Sequence, residues 1–590
     1  MHVLATAGHV DHGKSTLLRA LTGMEPDRWE AERRRGMTLD LGFVWTTLPT
    51  GTTVAFVDVP GHERFVPTML AGIGPVPAVL FVVAADEGWM PQSQEHLDAL
   101  DALGVRHGLL AVTRSDLKDP QLARTQALQH LATSSLGQIP SVCVSATTGA
   151  GLDELRTALG SLVTDLPAPD LSADIRLWVD RVFTIHGAGT VVTGTLSAGT
   201  LHVGDELQVG PGGRRVRLRG LQSLGQPVSS APAVARVALN LRGLPREALR
   251  RGDALLTPGA WLATSTLDVR LSHPPAAELP RKVMLHTGTA AVATRLRPLG
   301  EDTARLTLAH ELPLRIGDRA LLRDPGTHRI PTGITVLDVA PPLLRRRGAA
   351  TTRATELATM AATPDGAAEL RRRGIIRRNE LIAMGAPEPP GTPQAAGWLL
   401  DPTLLAQRAT QLAKAVTTHA TTNPLDPGLP LETARRLTGM PDIRLVELLL
   451  TPPMTLTHGR VHPTKPTTTL PDTIRHAITE IRAELAQRPF VAPEAHRLTE
   501  LGLGPKQLAA AVRAGELLKI ADGIYLAPGA DNEAITRLRS LPSPFTLSQA
   551  RQALNTTRRV ALPLMELLAR RGITRQLPNG THELRSTAQV

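Results

Sequence analysis

Residues 8–16 read Gly-His-Val-Asp-His-Gly-Lys-Ser-Thr, and no other stretch of the 590-residue chain limits its possible folds so sharply. The run before it, His2 to Ala7, is apolar and short enough for a buried strand. The pattern TLLRALTG after it is helical. Strand, glycine-rich turn and helix is the context in which Gly-x4-Gly-Lys-Ser cradles phosphate. The spacing predicts an α/β domain. The N–H groups of Gly8, His9, Val10, Asp11, His12, Gly13, Lys14 and Ser15 are expected to turn inward as an anion nest, with Thr16 continuing the run. Lys14 supplies a point charge to the β- and γ-phosphates, and the Ser15 hydroxyl can ligate Mg2+.

Three further motifs follow in order. Arg35-Gly36-Met37-Thr38 lies in a charged stretch without periodicity, as a switch loop would, and Thr38 can reach Mg2+ through its oxygens. The strand TVAFVD ends in Asp58-Val59-Pro60-Gly61-His62. Asp58 is placed to hold Mg2+ through water, the Gly61 N–H to sense the γ-phosphate, and His62 to position the attacking water. The strand GLLAVT ends in Thr113-Arg114-Ser115-Asp116. A carboxylate at Asp116 accepts both N1–H and the 2-amino group of guanine, a pair that adenine lacks. VCVSATTGAG follows, with Ser145 and Ala146 expected to close over the base and give a backbone N–H to O6.

Residues 1 to about 170 resemble the G domain of translational GTPases. The Asp-His-Gly-Lys and Pro-Gly-His spellings are similar to the branch that includes elongation factor Tu. The resemblance implies GTP/GDP and Mg2+ as cofactors, with Val10 and Met37 as an apolar gate before His62. The chain departs from that branch at Thr113-Arg114-Ser115-Asp116, where Asn-Lys-x-Asp is usual. Thr113 is shorter than Asn, so a weaker bridge between loops and looser nucleotide binding are expected, with no need of an exchange factor.

A net charge of +11 favours a phosphate-rich partner, and 2% aromatic residues leave little for base stacking. A single cysteine, Cys143, excludes a disulfide framework. The N-terminus has no basic leader region, and no apolar run reaches membrane length, so a soluble cytoplasmic protein without a membrane partner is expected.

From Asp174 onward, Val, Thr and Leu alternate between short-spaced glycine turns, which reads as a β-barrel. A second strand-rich region runs from about 263 to 342. The segment VFTIHGAGTVVTG resembles the second domain of elongation factor Tu. Asp180 and Arg181 precede it, and Arg236 lies in VARVALNL. By the resemblance these three positions line the pocket for the esterified amino acid. Arginines there favour an anionic side chain, and a selenolate is ionised at neutral pH. A serine on the same tRNA leaves both guanidiniums without an anionic partner.

Beyond residue 345 the chain continues for some 245 residues, and a unit of helices followed by a Gly-turn hairpin recurs about every sixty. The turns fall at His458-Gly459, Asp522-Gly523 and Asn579-Gly580. Four winged-helix modules are expected. Arg551, Arg558, Arg559, Arg570, Arg571, Arg575 and Arg585 concentrate in the last one, with Arg558 and Arg559 at the start of its expected recognition helix. A helix N-terminus with arginines suits RNA phosphates.

The whole chain therefore resembles the bacterial selenocysteine-specific elongation factors. The expected layout is an α/β P-loop G domain (1–172), two β-barrel domains (173–262 and 263–345) and tandem winged helices (about 346–420, 421–470, 471–540 and 541–590). The resemblance implies a monomer that carries selenocysteinyl-tRNA to the ribosome and holds an mRNA selenocysteine insertion hairpin in its last module. Two rivals stay open: a factor for ordinary or initiator tRNA, and a winged-helix DNA-binding regulator with a GTPase sensor.

Overall fold

The computed structural model describes residues 1–26, 38, 40–62, 65–74, 76–187, 189–327, 329–423, 425–463 and 470–585. Arg35, Gly36 and Met37 of the expected switch loop and gate lie outside them. The chain divides into two units, Met1–Pro390 and Gly391–Val590.

The first unit begins with a six-stranded sheet in the order β2-β3-β1-β4-β5-β6. The strands are β1 (His2–Ala7), β2 (Gly42–Thr47), β3 (Thr53–Asp58), β4 (Ala78–Ala84), β5 (His107–Thr113) and β6 (Ser141–Cys143). The helices are α1 (Lys14–Thr22), α2 (Val66–Ile73), α3 (Pro91–Leu103), α4 (Gln121–Ala132) and α5 (Leu152–Thr164). All seven residues of β4 are buried. Helices cover both faces, so the strand reads as a continuous apolar run rather than an alternation. The two-residue period still sorts the side chains. Val3, Ala5, Val79 and Phe81 join one core, and Leu4, Leu80 and Val82 join the other. Strand β1 lies between β3 and β4 and runs parallel to both. The loop after it therefore leaves the sheet at a topological switch point, where α/β folds bind ligands.

Residues 176–256 form an eight-stranded antiparallel sheet curled around Leu177, Val192, Leu218, Leu239 and Leu255. Residues 264–338 close into a six-stranded barrel. The helix α3 is seated on this barrel. A Cβ added to Gly333 would come within 2.3 Å of the Ala102 carbonyl oxygen, and one on Gly104 would strike the Arg319 guanidinium.

The helices Ala349–Thr359 and Gly366–Arg373 are welded to the closed barrel by charge. Asp268 and Asp338 are fully buried, and Arg305, Arg353, Arg372 and Arg373 converge on them. Glu356 and Glu369 complete the set, so the guanidiniums and carboxylates balance. Buried charge is tolerated only in such fully paired networks. The first winged-helix span expected from the sequence, 346–420, thus contains the boundary at residue 390.

In the second unit the helix Pro402–Thr422 packs on Leu431–Thr438 and on the strands Leu429–Pro430 and Arg460–His462. The hairpin there turns at His458 and Gly459, both at positive φ. A second hairpin turns at Asp522-Gly523, and a third spans Gln576 to His582. From residue 470 onward the helices and hairpins share one core, with Phe490, Ile520, Tyr525, Phe545 and Leu564 among its members. The Thr556 hydroxyl ties that block to the Phe490 carbonyl.

Candidate functional site

The phosphate loop bounds a cleft of about 830 Å3 lined by Val10, Asp11, Gly13, Lys14, Ser15 and Thr16 on one side. Thr38, Gly61, Thr113, Asp116 and Ala146 face them. Gly8 and Gly13 sit at φ 127° and 78°, and a Cβ on Gly8 would lie 2.1 Å from the Val82 carbonyl oxygen, so both must be glycine. Gly61 abuts the same loop: a Cβ there would meet the Val10 nitrogen and the Lys14 Nζ at 2.5 Å. The Lys14 ammonium is buried and donates to the Gly8 carbonyl at 3.0 Å and the His9 carbonyl at 2.7 Å. Burial pushes it down to about 8, and Asp58 and Asp11 oppose that shift.

The expected nest is narrower than the full run of residues 8 to 15. The Gly8 N–H donates to His96 Nδ1 at 3.0 Å, the Val10 N–H to Gln92 Oε1 at 3.2 Å, and the His12 N–H to the Val10 carbonyl at 2.9 Å. The His12 ring is fully buried behind the loop against His9 and the Val82 carbonyl, not in the cleft. Burial holds its pKa down at about 3, so it is neutral. His96 and Gln92, both on α3, were not singled out from the sequence. Their only signal is a polar pair spaced one helical turn apart in PQSQEH, ahead of the buried Leu97 and Leu100.

The oxygens expected to hold Mg2+ converge. The Ser15 hydroxyl donates to Asp58 Oδ2 at 2.6 Å and lies 2.9 Å from Thr38 Oγ1. Asp58 is fully buried, and its other oxygen accepts from Thr6. Two hydroxyls and one carboxylate beside a phosphate cradle are a hard-oxygen set that suits Mg2+. Among the described residues no group of three His, Cys, Asp or Glu could hold a metal. The ion would therefore depend on phosphate and water for its remaining ligands. His62 is half-buried, 6.1 Å ring to ring from Phe65.

At the base end, Asp116 is exposed and lines the cleft. Thr113 bridges the loops through its single hydroxyl. Its hydroxyl donates to the His12 carbonyl at 2.7 Å, so the shorter side chain still spans the two loops. Arg114 adds a second tie, bonding the Asp11 carbonyl, Asp86 and Glu87. Ser145 also differs from expectation. It is buried, its N–H goes to the Ala150 carbonyl, and its hydroxyl accepts from the Thr148 N–H. Ala146 and Thr147 line the cleft at this end in its place.

Asp180, Arg181 and Arg236 come together as expected, but the two guanidiniums are not left without anions. Arg236 makes a forked pair with Asp180, whose Oδ1 also accepts from Thr193. Arg181 bonds Asp40 of the G domain at 2.8 Å and the Leu41 carbonyl. Both lie over the Phe43 ring, Arg236 at 3.7 Å and Arg181 at 5.4 Å. The sequence hid these pairings because Arg181 lies 141 positions from Asp40 and Arg236 lies 56 from Asp180. From a pocket it shares with Arg246, Glu247 and Arg250, Arg251 borders the same two aspartates. A cleft of about 220 Å3 opens beside them, lined by Phe43, Trp45, Arg181, Phe183, Gln222 and Arg236 among others.

In the second unit the helix Arg558–Arg570 begins at the two arginines expected at its N-terminus. All seven arginines named in this module are exposed. Three of them carry carboxylate partners: Arg559 with Glu494, Arg571 with Asp531 and Arg575 with Glu583. Arg551, Arg558 and Arg570 lie on the exposed surface beside them.

Family models match three stretches: the elongation factor Tu GTP binding domain at residues 1–165, elongation factor Tu domain 2 at 189–256, and the winged helix of elongation factor SelB at 536–582. The chain is 40% identical to the selenocysteine-specific elongation factor of Desulfomicrobium baculatum over 54% of its own length and 53% of that protein's. It thus spans about half the length of that relative. It is 31% identical to elongation factor Tu 2 of Streptomyces avermitilis, over 55% of this chain and 93% of that protein. The fold matches the crystal structure of a bacterial selenocysteine-specific elongation factor, EF-Sec. The match has a TM-score of 0.77 at 23% identity and covers 99% of both chains. No helix among the described residues is long and apolar enough to cross a membrane.

Proposed function

Because the chain belongs to the elongation factor Tu family of translational GTPases, we propose that it is of the selenocysteine-specific branch and delivers selenocysteinyl-tRNA to the ribosome at UGA codons. In this reading GTP occupies the cleft, with Asp116 on the guanine edge and Lys14 on the terminal phosphates. Ser15, Thr38 and Asp58 hold Mg2+, which neutralises charge on the phosphates. His62 orients the attacking water. The last winged helix holds the mRNA insertion hairpin through Arg551, Arg558 and Arg570, with Arg559, Arg571 and Arg575 exchanging carboxylates for phosphates on binding.

The observation that carries the choice of amino acid is the charge set around Asp40 and Asp180, in which Arg181 and Arg236 line the 220 Å3 cleft and Arg251 lines a second pocket that shares Arg181 with it. Arg181, Arg236 and Arg251 outnumber Asp40 and Asp180 by one positive charge. A selenolate completes that balance and a serine hydroxyl does not. Discrimination then rests on one excess guanidinium and an exchange of partners rather than on two orphaned cations.

Spontaneous deacylation tests the reading. Selenocysteinyl-tRNA and seryl-tRNA with the same tRNA body are incubated with the full chain and a non-hydrolysable GTP analogue. Protection of the selenocysteinyl ester alone, lost in Arg181→Ala or Arg236→Ala, supports it. Equal protection of both esters turns the reading toward a factor for ordinary tRNA. Protection of neither removes the pocket assignment.

A further inference from the structure

We propose that His96 and Gln92 of α3 are positioning residues for nucleotide binding, holding the phosphate loop from behind by accepting its Gly8 and Val10 N–H groups. Neither touches the cleft. Their effect passes through the loop backbone.

The Gly8 N–H has few alternatives. Gly8 lies at φ 127° with the Val82 carbonyl crowding the place of its missing Cβ, so the loop cannot shift toward β4. His96 is 1% exposed and presents Nδ1 to that N–H at 3.0 Å. An imidazole can accept at Nδ1 only when that nitrogen carries no proton, and full burial with Lys14, His9 and His12 nearby keeps the ring neutral. Gln92, one turn earlier, fixes the next N–H but one at 3.2 Å. On the far side Gly61 presses against Val10 and Lys14. The loop is therefore clamped between α3 and the residue expected to sense the γ-phosphate.

The helix that provides the clamp cannot yield easily. Its C-terminal end meets the closed barrel at Gly333 and Arg319 with no room for an added methyl. Removing the His96 acceptor leaves a buried donor unsatisfied, which costs more than an ordinary hydrogen bond is worth. That cost falls on the loop conformation that presents the remaining N–H groups to phosphate.

The test uses the full chain and N-methylanthraniloyl-GDP, with dissociation followed by fluorescence during a chase. His96→Leu keeps an apolar side chain of similar reach and deletes the acceptor. His96→Asn keeps an oxygen on Cγ, where Nδ1 stood. We expect His96→Leu to speed dissociation about tenfold and His96→Asn to restore the rate to within about threefold. Thermal midpoints measured without nucleotide should be closer for the two variants than their dissociation rates are. If His96→Leu does not fold, Gln92→Leu decides, with an expected acceleration of about threefold from a less buried bond. Wild-type rates in whichever leucine variant is read overturn the proposal. So does an Asn variant as fast as the Leu variant, because packing and not the acceptor would then be responsible.

Discussion

The phosphate loop and the arginine cleft were read from the same kind of evidence, a few residues at family positions, and fold in different ways. At the loop, function depends on backbone geometry: left-handed glycines, a buried lysine and N–H groups aimed by neighbours. The glycines and the lysine are local, and the spelling states them; the acceptors that aim the N–H groups come from α3. At the cleft, the proposed function depends on net charge, which no single segment carries. Arg181 and Arg236 look like free cations until Asp40 and Asp180 arrive from elsewhere in the chain. Charge has to be counted after folding.

The largest effect should come from Lys14→Ala. We expect guanine-nucleotide affinity to fall more than a hundredfold in equilibrium titration while the fold stands, since the ammonium donates to two carbonyls and the buried Asp58 beside it keeps its Thr6 and Ser15 donors. Arg236→Ala should do the opposite. It strands Asp180, 6% exposed, without its counter-ion, and we expect unfolding in urea to show a loss of about 3–5 kcal/mol, with nucleotide binding kept. If the two variants give the same pattern, the contrast between the regions fails.

Acid should separate them next. The His12 pKa is about 3 when folded and 6.5 when not, and His96 is shifted the same way. The unfolded chain therefore binds more protons below pH 6.5. Stability is complete above that pH and drains as pH falls toward 3, by roughly 1.4 kcal/mol per pH unit for His12, with His96 acting in the same direction. None of the four paired cleft residues is a histidine. Between pH 7 and 5, GDP release should accelerate before the fluorescence of Trp45, which lines the cleft, changes.

Arg181→Ala should have the smallest effect on stability. Its pair with Asp40 is partly exposed, and we expect under about 1 kcal/mol in the same urea experiment, although the proposed function expects the same variant to lose ester protection.

The layered core of the G domain was legible because β4 and β5 are apolar throughout and the motifs punctuate their ends. The hairpins of the C-terminal unit were legible from Asp-Gly and Asn-Gly. Three things were not. The His96 and Gln92 bonds join positions more than eighty apart, and a histidine on an apolar helix face reads as ordinary core. Thr113 looked too short because the approach of the His12 carbonyl is a tertiary fact. The boundary at residue 390 is set by Asp268 and Asp338, which draw Arg353, Arg372 and Arg373 onto the barrel and so divide a span that looks like one module.

The continuous core from residue 470 onward bears on how force would pass through the molecule. A row of independent beads yields one at a time when its end is pulled. Here Phe490, Tyr525, Phe545 and Leu564 belong to one packed interior, so tension on the exposed arginines of the helix Arg558–Arg570 loads two hairpins and their helices together. That segment would behave as a stiff tow-bar rather than a tether.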